Sequence, residues 1–68
     1  MTLKELVKGN ENAYNRFMEM AKHFWSFGMY NRLDGAILVF IEMFRGDTTL
    51  NSAETNRLAF EILNNIQN

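Results

Sequence analysis

The sequence predicts an all-α fold, a small helical bundle of three main helices plus a short N-terminal helix, expected to pair with a second copy as a homodimer. Three observations carry this. Apolar residues recur at three- and four-residue intervals through the two segments on either side of the centre. Gly9, Gly28 and Gly46 stand where helical stretches run out, as terminating glycines do. The central segment, Leu33 to Phe44, is apolar without a break from Ala36 to Ile41, and no second strand-like run exists for it to pair with.

In chain order, Thr2-Leu3-Lys4-Glu5 reads as a capping box, in which the Thr2 hydroxyl accepts from the Glu5 amide and the Glu5 side chain reaches back. Leu3, Leu6 and Val7 then give a short helix a narrow apolar face, closed near Lys8 by Gly9. The next helix is expected from Asn10 or Asn12 to about Phe27. At about 100° per residue, Tyr14, Phe17, Met18, Ala21, Phe24 and Trp25 form one stripe, widened by Ala13, Met20 and Phe27. Asn15, Arg16, Glu19, Lys22, His23 and Ser26 gather opposite.

The third helix is expected from about Leu33 to Phe44, with Tyr30 to Arg32 as connection or first turn and Asn31 or Asp34 as N-cap. Leu33, Ala36, Ile37, Phe40, Ile41, Met43 and Phe44 share its inward face, whereas Leu38 falls among polar residues. After the turn-rich Gly46 to Thr49, Asn51 or Ser52 opens the last helix, and Glu54 completes an Asn-x-x-Glu box. Its stripe is Thr55, Leu58, Ala59, Ile62, Leu63 and Ile66. Phe60 projects outside it.

Tyr14 to Tyr30 resembles the first half of a tetratricopeptide repeat: Phe17, Met20, Ala21 and Phe24 stand at its helix-A positions, and Gly28 and Tyr30 match its turn. The resemblance implies a close antiparallel helix pair and no particular function. It stops there, because Leu33 and Phe40 occupy positions the family keeps small and no second copy follows.

Sixty-eight residues make one domain, 1–68, and bury only about 60% of the unfolded chain's surface. Without cysteine there is neither a disulfide nor a thiolate metal site, so packing or self-association must supply stability, which favours an oligomer. The opening Met1 to Leu6 lacks the pattern of a secretion signal, and no apolar run approaches the roughly 20 residues of a membrane span. A soluble, cytoplasmic protein with no membrane partner is expected.

Catalysis needs convergent titratable groups, and the single His, two Asp and six Glu are thinly spread. His23 has Glu19 one turn before it, a pattern for a surface pair, and no His-x-x-x-His or Glu-x-x-His spacing is present for a metal. The glycines form no phosphate loop. The expectation is a non-enzymatic chain with no cofactor and no metal.

What stands out is surplus apolar surface. Leu38, Phe60, the margin residues Met20 and Phe27, and Val39 exceed what so small a core absorbs, and such surface marks interaction sites. The reading is a regulator, inhibitor or adaptor that binds another protein through these residues, as a homodimer. The size fits the small inhibitors that phages and other mobile elements encode.

The alternative is a DNA-binding regulator using the last helix, with Arg45, Asn56 and Arg57 at the nucleic acid. Its register is poor: with Gly46 as the turn glycine, Glu42 falls where a helix-turn-helix needs a small residue and Asp47 where it needs an apolar one. Seven basic against eight acidic residues also leave no overall positive field.

Overall fold

The computed structural model describes residues 1–67 and is helical throughout its regular structure, with no strand among the described residues. Four helices follow one another: α1 (Leu3–Val7), α2 (Glu11–Ser26), α3 (Tyr30–Phe44) and α4 (Ser52–Gln67). The three long helices pack pairwise and α1 touches all of them. The thinnest dimension, 18 Å between Cα extremes, is about two helix diameters.

The capping chemistry starts the helices much as the sequence implies. Thr2 Oγ1 accepts from the Glu5 amide at 3.2 Å, Asn10 Oδ1 from the Ala13 amide at 3.4 Å, and Asn51 Oδ1 from the Glu54 amide at 2.8 Å. The return half differs in both boxes. The Glu5 carboxylate accepts from the Thr2 hydroxyl at 3.4 Å instead of the Thr2 amide, while that of Glu54 is occupied by Arg57. At the end of α1 the left-handed turn takes two residues, Lys8 (φ 51°) as well as Gly9 (φ 80°).

The start of α3 corrects the sequence reading. Its N-cap is Met29, without a side-chain hydrogen bond, and neither Asn31 nor Asp34 caps it. The cause is how α2 ends: the Gly28 amide donates to the Trp25 carbonyl at 3.1 Å and the Met29 amide to the Phe24 carbonyl at 2.9 Å, with Gly28 at φ 69°. These paired backbone bonds reverse the chain within Phe27–Met29, so α3 begins three residues earlier than Leu33. The resulting antiparallel pair sets Phe17 of α2 nearly parallel to Phe40 of α3, ring centroids 4.2 Å apart, with Tyr14 and Phe44 against the same Phe40 ring.

The core forms where the four apolar faces meet. Leu6, Leu33, Ile37, Ile41, Leu58 and Ile62 are its most enclosed large side chains. Each gains about 1.5–3 kcal/mol on leaving water. Leu3, Leu6 and Val7 are all buried, so α1 closes the bundle and is itself held by tertiary contact. At the margin of the core, the Asn65 side-chain amide donates to the Tyr14 hydroxyl at 3.1 Å, tying α4 to α2.

Candidate interaction surface

Several of the apolar side chains that the core leaves out lie along the two flanks of α3. Leu38, Val39 and Phe60 are 51%, 59% and 68% exposed, and Met20 is 42% exposed. Two grooves organise four of the five residues expected at an interface.

Between α3 and α4, Leu38 and Phe60 line the same groove of 380 Å³, with Ile37, Ala59 and Leu63 behind them and Asp34 and Asn56 also in its lining. Between α2 and α3, Met20 and Val39 line a second groove of 730 Å³. Ala13, Gly35 and Ala36, all small, leave room along it, and Arg16 shares its lining. Leu38 and Val39 are consecutive, so the two grooves are separated only by the ridge of α3.

Phe27 does not join them. It is exposed at the end of α2, where its ring lies edge-on to His23 at 4.6 Å between centroids. His23 therefore meets Phe27, and no ion pair joins it to Glu19 among the described residues. Trp25, placed by the sequence on the inward stripe of α2, sits at its edge, 36% exposed and edge-on to Tyr30.

The structure adds a residue that the sequence reading placed in the core. Met43 is 72% exposed and lines the α2–α3 groove. The signal was available: at about 100° per residue Met43 lies much nearer in direction to Val39 than to Ile37. Gly35 stands inside α3 and lines the same groove.

The basic residues of the nucleic-acid alternative are folded back on the chain. Arg45 pairs with Glu42 at 2.7 Å and donates to the Thr48 carbonyl at 3.0 Å. Arg57 pairs with Glu54 at 2.6 Å and Glu61 at 3.3 Å and donates to the Met1 carbonyl, while the Met1 amino group lies 3.3 Å from Glu54. The hydrogen bond from Arg45 holds the Glu42 carboxyl below its usual pKa, and that from Arg57 does the same for Glu54. Both guanidinium groups are correspondingly shifted up. Asn56 lies along the same apolar groove as Phe60.

No described helix is long and apolar enough to cross a membrane, and no group of three or more His, Asp or Glu is gathered to hold a metal ion among the described residues. No protein-family model, curated protein or solved structure matches the chain.

Proposed function

We propose that this chain is a small non-enzymatic regulator, inhibitor or adaptor that binds another protein through the apolar flanks of α3. One observation carries the reading: Leu38 and Phe60, the two residues that fit no inward stripe, come from different helices and line one groove. An apolar patch on two packed helices offers a partner a preformed surface, where binding costs little ordering of the backbone. Action would be by occlusion or bridging, with no chemistry of the chain's own. A cytoplasmic setting and an origin in a phage or other mobile element belong to the same proposal.

Affinity capture from host lysate with quantitative mass spectrometry tests it. A protein enriched on the wild type and lost on both Leu38→Glu and Phe60→Glu, with helix content unchanged by circular dichroism, is the expected result. The same proteins retained on all three baits would overturn it. DNA binding draws less support, because Arg45 and Arg57 are each neutralised by carboxylates and give phosphates little to hold. Gel shifts at low salt are expected to show no retarded species; a shift that weakens steeply with added salt would favour that reading.

A further inference from the structure

We infer that Lys8–Asn10 is a hinge that straightens to join α1 and α2 into one helix, so that two copies of the chain exchange α1 and each closes the other's core.

The phase of the two helices is the first reason. At about 100° per residue, counted straight through the turn, Leu6, Val7, Tyr14, Phe17 and Ala21 all fall within about 60° of the direction of Leu3. Of the residues in that arc from Leu3 to Ser26, Asn10 alone is polar. The chain thus encodes one unbroken amphipathic stripe, although a turn separates α1 from α2 in the structure. Two helices that only ever pack separately need share no phase. No proline stands in the hinge to forbid the straight form.

The bent hinge is the second. Lys8, at φ 51°, is the one non-glycine residue with a positive φ among the described residues, and Gly9 follows at φ 80°. A left-handed lysine crowds its Cβ against the backbone. The cap of α2 is also long, with Asn10 Oδ1 accepting from the Ala13 amide at 3.4 Å. In a continuous helix the Asn12 and Ala13 amides donate instead to the Lys8 and Gly9 carbonyls. Straightening relieves the turn and gives those amides helical partners.

The occupant follows from the structure itself. Straightening lifts Leu3, Leu6 and Val7, all buried, away from the core they close. The α1 face and the vacated end of the core are then both bare, and they match because they pack together in the single copy. Reciprocal exchange about a two-fold axis restores the same contacts between copies, with no new surface needed. The α3 grooves take no part.

Sedimentation equilibrium tests this, with circular dichroism following folding at each concentration. The wild type is expected to form a dimer when concentrated. A Cβ at Gly9 would meet nothing within 4 Å, so Gly9→Ala acts only through backbone preference, against φ 80° and towards helix. It is expected to tighten the dimer about tenfold, and Lys8→Gly, which eases the bend and weakens the straight helix, to loosen it about tenfold. In a mixture of isotope-labelled and unlabelled Gly9→Ala chains, nuclear Overhauser contacts should join α1 of one copy to α4 of the other. A Gly9→Ala chain that stays monomeric at high concentration, folded or unfolded, overturns the inference. So does a dimer with no α1 contact between copies, or one that both substitutions shift in the same direction.

Discussion

Ile62 shows what one side chain contributes here. It is fully enclosed on α4 within a core that has few layers. Truncation removes transfer energy and leaves a cavity that a bundle held by no cross-link closes only in part. Ile62→Ala is expected to cost about 2–5 kcal/mol, read as a lower urea midpoint at unchanged slope. Leu38, more than half exposed, should change the midpoint little when replaced by alanine. The same contrast governs what could be read from the sequence. Ile62 belongs to a stripe repeated three or four residues apart, so its direction follows from helix geometry alone. Met43 lies at the edge of a wider apolar arc, where geometry gives a direction but not how far the neighbouring helix reaches.

At the level of elements, the helix ends at Gly9 and Gly28 and the side-chain caps at Asn10 and Asn51 were legible, and the start of α3 was not. Asn10 and Asn51 announce their helices because a particular amide oxygen must bond a particular amide hydrogen. Asn51→Ala is expected to lower stability by about 1 kcal/mol, and amide hydrogen exchange should quicken most at Glu54 and in the first turn of α4. The N-terminal end of α3 carried no such sign: the chain turns into it on the paired backbone bonds around Gly28, which satisfy carbonyls of α2, and no side chain caps the first amides of α3. Glu54 misled differently. A capping box needs its carboxylate to turn back, but Arg57, three residues on and on the same face, competes for it at 2.6 Å.

Over the whole molecule, the fold was legible because three long amphipathic faces and one short one have few ways to cover each other. The pairing of Leu38 with Phe60, and of Met20 with Val39, depends on which helices become neighbours, and periodicity within one helix does not contain that. Charge adds a pH dependence. The carboxyls of Glu42 and Glu54 are lowered in the folded chain by Arg45 and Arg57, so their pairs contribute fully above the ordinary glutamate pKa of about 4.3 and are lost as pH falls through the lowered folded values. Both pairs are exposed, so the contribution is small. Melting temperature is expected to be level from neutral to mildly acidic pH and to fall only in strong acid, and Arg57→Met should flatten part of that acid limb.

The burial of α1 leads to one more property. Five residues cannot hold a helix alone, so Leu3, Leu6 and Val7 behave as a ligand tethered to its own receptor through Lys8–Asn10. So short a tether keeps its local concentration high, and docking wins despite the small contact. Each undocking nevertheless uncovers the end of the core that α1 closes. The rate of that opening, more than global unfolding, should set how often this chain presents its interior to proteases and to other chains.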